Sequence, residues 1–555
     1  MKIKSLRLLS LLLAALMLLM PVACGKEPAD AETTPAESVE SEAPVEPVKD
    51  SGVTYVFSGE DADRPGYAEG VIEITWADEA VGSSYVLCYA DDEGILADYK
   101  PIAVLPVTGE TVTYEMRRKM ALPEEATQIA VFVSDDGSVP ADASLSDARL
   151  VTIPAEKRFA SGAVELRFAS LSDLHLNYDY AVDKWRAILE YFKEIELPLI
   201  AISGDYSEDG GEEHLSAFGA TVKEVGYEGT IWTAMGNHDT GNRENWIRDF
   251  ADFGSDGENE YFYRIAPNGD VFIFMSLDNL KEYANVNRED NFTDEELDWL
   301  EGLLKQYSNT GVNIFIYEHA NFYNWGAGDI KPGIYVEPMV VGQSFKSHTR
   351  LMAILSEYKE AVFCTGHTHV AFSENVNFND ENGSAARMIH NSSTSQPRTV
   401  NEDRTGYVYD TNPINSEGYL CAVYENDIVY RGMDFSTHQY LPEACLILES
   451  YSADHSDTDG LVSITVDKNA STTSCPDGTS RGDLVFSVIA EFEDGTTRPV
   501  DDFSFVLVGE TTVVRDKVRT ILANQETATT GTTGAIISWG GKTVNYSFKV
   551  KRAAN

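Results

Sequence analysis

The chain has 555 residues, 43% of them hydrophobic and 10% aromatic, and a formal net charge of −48 at pH 7. That length exceeds what a single core organises, so several domains are expected. So acidic a chain excludes nucleic-acid duplexes and anionic lipid as electrostatic partners, and a site that handles phosphate must supply its own local positive charge.

Lys2, Lys4 and Arg7 precede an apolar run, Leu8 to Met20, that is too short to span a bilayer comfortably. "PVACGKE" follows, with the small Ala23 just before Cys24, and this resembles the lipobox of bacterial lipoproteins, whose cysteine is lipidated and becomes the new N-terminus. Pro21 departs from the usual Leu, so plain secretion stays open. Residues 1–24 are expected to be a signal peptide and 25–52, rich in Pro, Glu and Ala, an extended linker with little to bury. The expectation is an extracytoplasmic protein on a bacterial surface, meeting the membrane only through Cys24. Cys88, Cys364, Cys421, Cys445 and Cys475 show no spacing of a disulfide scaffold or a zinc knuckle.

Between residues 53 and 156, short alternating runs such as "GVIEITWAD" and "TQIAVFVSDDG" are broken by Gly and Asp. Strands at that spacing predict a β-sandwich, loosely similar to fibronectin type III or Ig domains, with Trp76 as a core aromatic.

From 157 to 438 the texture changes. Apolar runs ("VELRFASLSD", "LPLIAISGD", "GTIWTAMGNHD", "GVNIFIYEH", "EAVFCTGHTH") alternate with helical patterns at Ala181 to Lys193 and Thr293 to Tyr307. The second helix opens on a capping box, Thr293 to Glu296, and Asn268-Gly269 suits a hairpin turn. Alternation of strand and helix predicts α/β layering. Residues 439–555 return to period two and read as a second all-β, Ig-like domain. Neither flanking region shows a catalytic constellation, and spacing or adhesion is their expected role.

Every α/β strand ends in ligand-type residues. Asp173 and His175 close the first, Asp205 the second, Asn237, His238 and Asp239 the third, His319 the next, and His367 and His369 the last. Asp173 to Asp205 is 32 residues and Asp205 to Asn237 another 32, each one strand–helix–strand step. Such strand ends lie side by side at the carboxyl edge, where sites form in α/β sheets. Five of the ten histidines fall there, and charged groups crowded in that way point to metal.

The ordered set "DLH", "GD", "GNHD", a lone His after a strand and "GHTH" resembles the calcineurin-like metallophosphoesterase family, over about Phe159 to Phe435. The resemblance implies a β-sandwich flanked by helices and two divalent ions, Mn, Zn or Fe. Asp173, His175, Asp205 and His369 would hold one ion, with Asp205 bridging to a second held by Asn237, His319 and His367. A bridging hydroxide would attack phosphorus in line, and His238, its ring oriented by Asp239, would protonate the leaving oxygen. In purple acid phosphatases Gly replaces His175 and a tyrosine stands at Glu208, so a purple Fe(III) centre is not expected. Ala320 replaces a common Pro, with little effect expected.

The resemblance implies hydrolysis of a small phosphorylated substrate, a monoester or nucleotide first and a phosphodiester second. The rival is an adhesion protein with an inert phosphoesterase fold. Arg387, His390 and Arg398 are candidates to grip phosphate, and "NFYNWGAGDIKPG" after His319 is a candidate rim loop, each weighed against a plain solvated segment.

Overall fold

The structure is a computed structural model. It describes residues 52–551 with breaks, the longest at 76–81, 240–252, 254–259, 277–291, 329–349, 380–386, 409–414, 451–459 and 522–529. Trp76, Cys24, the signal peptide and the linker lie outside the described residues.

Seven strands come first: β1 (Val53–Phe57), β2 (Gly70–Ile74), β3 (Ser84–Ala90), β4 (Ala103–Pro106), β5 (Val112–Met116), β6 (Gln128–Ser134) and β7 (Arg149–Thr152). They form a three-stranded sheet, β1-β2-β5, and a four-stranded sheet, β4-β3-β6-β7. Alternation places Ile72 and Ile74 of one sheet against Tyr85, Leu87, Ile129 and Val131 of the other in a shared core.

The central region holds two mixed six-stranded sheets. The first is built from β8 (Val164–Leu171), β9 (Leu199–Ile202), β10 (Thr230–Thr233), and, after an intervening run, β19 (Glu417–Tyr424), β20 (Asp427–Asp434) and β21 (Gln439–Glu449). Its order is β10-β9-β8-β19-β20-β21, with β8, β9 and β10 parallel. The second comprises β11 (Phe262–Ile265), β12 (Val271–Phe274), β13 (Ile314–Tyr317), β14 (Ala361–Thr365), β15 (Phe378–Asn379) and β16 (Arg387–His390), in the order β11-β12-β13-β14-β16-β15. A two-residue ladder, β17 (Thr399–Val400) with β18 (Tyr407–Val408), precedes β19.

Period two sorts the second sheet's side chains between two cores. Phe272 and Phe274 face the first sheet, while Val271 and Ile273 face helix α3 (Asp294–Tyr307). Phe168 of β8 meets Phe272 and Phe315 edge-on at ring distances of 5.3 and 5.2 Å, so the two sheets are zipped by aromatics. The outer face of the first sheet is covered by α1 (Asp179–Glu194) and α2 (Glu212–Val225). Helix α1 buries Ala181, Trp185, Ile188, Leu189 and Phe192, the stripe a 3.6-residue period demands, and Trp185 stacks on Phe218 of α2. At the start of α3 the Glu296 N–H donates to Thr293 Oγ1, as expected of a capping Thr.

The domain boundary expected at 438/439 is corrected by β21. This strand pairs along β20 from Asp427↔Glu449 to Asp434↔Gln439, so residues 439–449 complete the central sheet. Its apolar alternation matched a sandwich strand equally well, and only pairing distinguishes the two. The far edge of β21 is closed by the N-terminal region. Ala121 N–H donates to Cys445 O, Ile447 N–H to Lys119 O and Tyr440 N–H to Asp98 O. Lys100 Nζ adds a 2.6 Å ion pair to Asp434. An edge that would otherwise offer unpaired backbone groups is thereby covered.

Beyond residue 460 three further small sheets appear, around a core containing Phe486, Trp539, Tyr546 and Phe548. The five described cysteines are buried and unpaired.

Candidate metal centre

Each sequence-predicted ligand lies just past the carboxyl end of a strand: Asp173 and His175 after β8, Asp205 after β9, Asn237 after β10, His319 after β13, His367 and His369 after β14; His238, the expected proton donor, follows Asn237. Parallel pairing of β8 with β9, β9 with β10 and β13 with β14 sets these ends side by side. The loops then cross. His175 N–H donates to Asp205 O, Gly366 N–H to His319 O, and His367 N–H to Asp173 Oδ2 at 3.0 Å, the last from the second sheet to the first.

Two motif glycines permit this closeness. A Cβ on Gly236 would lie 2.0 Å from Asp205 Oδ1, and one on Gly366 would lie 1.8 Å from Ser172 Oγ. Among the described residues nine non-glycines have positive φ, and five of them are Asp173, His175, Asp205, His367 and His369. Strain of this kind persists only where surroundings over-determine it, and it collects at functional sites.

Two groups result: Asp173, His175 and His369, and Asp205, His319 and His367, all buried, with ligand atoms inside each group within 4.8 Å of one another. His369 Nε2 is 3.0 Å from Asp173 Oδ1, and His319 Nε2 is 3.0 Å from Asp205 Oδ2. Asp205 Oδ2 also lies 3.9 Å from His175 Nε2 and 4.0 Å from His238 Nε2, so this one oxygen sits between the groups. Asn237 is buried beside them at 3% exposure.

Backbone and carboxylate acceptors fix the rings. His319 Nδ1 donates to Ser203 O at 2.9 Å and His369 Nδ1 to Gln396 O at 3.2 Å, which turns each Nε2 inward. His175 Nδ1 lies 3.0 Å from the Glu208 carboxylate. His367 Nε2 is buried without a hydrogen-bond partner, an atom in want of a cation or proton donor. Imidazole with carboxylate in this arrangement fits Zn, Mn or Fe.

Protonation follows the charge count. Burial works to raise Asp173 and Asp205, but the imidazoles around them win and hold both carboxyls low. Burial works to lower His175 and His319; their carboxylate neighbours overcome it and push both up to about 10. For His367 and His369 burial prevails, and they fall to about 3 and about 4. Two anions therefore hold two protonated rings, and those protons must leave before cations are held.

Asp239 is a correction. It makes no hydrogen bond to the His238 ring; its carboxylate accepts from the backbone N–H groups of Asp205, Tyr206, Ser207 and Gly236, at 2.9 to 3.2 Å. A buried carboxylate takes the densest set of donors within reach, and the turn from Asp205 to Ser207 presents three, with Gly236 a fourth. The His238 ring is turned by Glu208 instead, whose carbonyl accepts from Nδ1 at 2.8 Å. Glu208 thus holds one ring by its carboxylate and another by its backbone, a role with no signal in the sequence.

The substrate candidates separate. Arg387 lies at the start of β16 and donates to Glu449 O, at the end of the strand away from the ligands. His390 is buried behind "GHTH", its Nε2 3.0 Å from Thr368 Oγ1. Arg398 stays adjacent, its backbone N–H donating to His369 O at 2.7 Å and its charge helping to lower His369. Of the expected rim loop only Asn321, Ala327 and Gly328 are described.

Comparison with known proteins gives one family: residues 166–371 match the calcineurin-like phosphoesterases. No curated protein matches the chain. Among solved structures it is similar to a dimetal phosphatase from Danio rerio, at 13% identity and a TM-score of 0.38, over 52% of this chain and 100% of that one. It is similar to GAP50, the anchor in the inner membrane complex of Plasmodium, at 15% identity and 0.35, over 53% and 92%. It is also similar to a purple acid phosphatase from yellow lupin seeds, at 10% and 0.36, over 69% and 72%. Likenesses as low as these three carry no argument about substrate.

Proposed function

We propose, starting from a calcineurin-like phosphoesterase domain at residues 166–371 in a chain that is a hydrolase of phosphoric esters, that the substrates are phosphomonoesters or nucleotides met outside the cytoplasm. The observation that carries the hydrolytic reading is the pair of buried ligand groups with Asp205 between them. An inert fold has no use for two complete groups, which speaks against the adhesion rival.

Two divalent ions held by Asp173, His175, Asp205 and His369 and by Asp205, Asn237, His319 and His367 would supply Lewis acidity toward phosphoryl oxygens and a nucleophilic water near neutral pH. The chain's own residues supply the rest. Ser203 and Gln396 carbonyls keep the His319 and His369 rings presenting Nε2. The bond from His238 Nδ1 to Glu208 O assigns that proton to Nδ1, so Nε2 is the ring nitrogen that would carry the proton passed to a leaving oxygen. His238 is half-buried beside Asp205, at the boundary where a departing alcohol meets solvent. The cations, with Arg398 behind His369, give the local positive charge that a chain of net charge −48 otherwise lacks.

A panel of aryl and nucleoside monoesters and diesters on Mn- or Zn-loaded protein tests the reading. Monoester turnover at least about tenfold above diester turnover is expected, a difference of ~1.4 kcal/mol in barrier; the reverse order would make the chain a phosphodiesterase, and no turnover would favour the adhesion rival. Lipid anchoring is read from the segment around Cys24, and Cys24→Ser should move the protein from the detergent phase to the aqueous phase. Unchanged partitioning would remove the lipoprotein reading.

A further inference from the structure

The segment "HNSSTSQ", residues 390–396, contains five consecutive small polar residues, Asn391 to Ser395, all at most 3% exposed. Burying that many hydroxyls is costly unless each is hydrogen-bonded. For Ser393, Thr394 and Ser395 the partners lie in the loop after β8. Ser393 Oγ donates to Asp173 O at 2.9 Å and Ser395 Oγ donates to the same oxygen at 3.0 Å, occupying both of its lone pairs. Thr394 N–H and Oγ1 both donate to Ser172 O, at 3.1 and 3.2 Å. One residue on, Gln396 O accepts from His369 Nδ1.

The segment is itself anchored. Ser393 Oγ accepts from the N–H groups of Ser395 and Gln396, which leaves its own proton no better direction than Asp173 O. Lys184 of α1 donates to Ser395 O at 2.6 Å, and Ser416 Oγ donates to Thr394 O at 2.7 Å. Asp173, at φ +56°, and His369, at φ +57°, are two of the three residues in one ligand group, and both are strained. Neither hydroxyl reaches Asp205, His319 or His367.

We infer that Ser393 and Ser395 are positioning residues: their paired hydroxyls clamp the Asp173 carbonyl and hold that residue in the left-handed conformation that aims its carboxylate at His369 Nε2. The inference rests on reading the site as a two-cation centre. The clamp acts on one group, so it should set the affinity of one cation and leave the other alone.

Stepwise titration of the metal-free full chain with Mn or Zn, followed by calorimetry, tests this. His175→Ala and His367→Ala assign the two binding steps. In Ser393→Ala with Ser395→Ala, the step lost in His175→Ala should weaken about 10–100-fold, the usual cost of removing a group that orients a metal ligand. The other step should stay within about twofold, and Ser395→Thr, which keeps a hydroxyl, should hold parent affinity. Two unchanged steps would overturn the clamp. So would parallel weakening of both steps with a lowered melting temperature, which marks a merely structural segment. If the parent takes up fewer than two cations, the two-cation reading fails first and the inference with it.

Discussion

The two sheets of the central domain bring unlike chemistry to one edge. The first contributes both carboxylates, Asp173 and Asp205, together with His175, Asn237 and His238; the second contributes imidazoles to the groups, His319, His367 and His369. Neither sheet completes a group. Asp173 and His175 wait for His369, and Asp205 waits for His319 and His367. The anions without the imidazoles would be a buried repulsive pair, and the imidazoles without the anions would be neutral rings. The centre is therefore also a reporter of how the sheets are docked, and cation binding is coupled to that docking.

The largest effect is expected where the sheets share one atom. Asp205→Asn removes the charge between the groups, and both cations and at least about 10²–10³-fold of kcat should be lost together. Elemental analysis beside steady-state kinetics checks it; two retained cations with near-parent turnover would dissolve the sharing.

Next comes a residue of the first sheet that lies outside both groups. His238→Ala should cost about 10²–10⁴-fold on esters with poor leaving groups, and progressively less as the leaving group becomes more acidic. Cation content should stay at the parent level. An even loss across graded esters would show that His238 does not serve the leaving oxygen.

Where the loops cross, the contact is steric. Gly366→Ala places a methyl 1.8 Å from Ser172 Oγ, so either the β14 loop or the β8 loop must move. A loss of about 1–3 kcal/mol in urea unfolding is expected, together with weaker cation binding. Parent stability and parent affinity would mean that the loops do not approach as described.

The smallest effect separates ring types. Burial pushes His390 down to about 3 from its ordinary 6.5. The folded chain thus stays neutral there while the unfolded chain takes a proton, so stability is full above 6.5 and falls as pH drops from 6.5 toward 3. In His390→Asn the pH slope of unfolding in that window should shrink by about one proton per chain. An unchanged slope would place His390 in contact with water.

Much of the centre was legible before any fold was known. Aspartate and histidine at the ends of successive apolar runs, two steps of 32 residues apart, require only that strands run parallel and that βαβ units have a standard length. Asp239 was not legible. In sequence it adjoins His238, but adjacency does not say which donors converge on a carboxylate, and four backbone N–H groups did. Arg387 and His390 were misleading for a related reason, because both sit on a strand buried along its whole length.

The sequence by itself determined which residues can ligate, since that depends on residue type and on spacing along strands, both local properties. It also determined the layering, through the change from period two to alternating strand and helix. Tertiary structure alone decided three things. It closed β21 onto the central sheet and not onto the C-terminal region. It turned the rings of His319, His369 and His238, through carbonyls of Ser203, Gln396 and Glu208 that lie 30 or more positions from His319 and His238 and 27 from His369. And it set Ser393 and Ser395 on Asp173, 220 and 222 positions away. Hydrogen bonds depend on distances in space, and backbone acceptors carry no residue type, so neither leaves a trace in the order of amino acids.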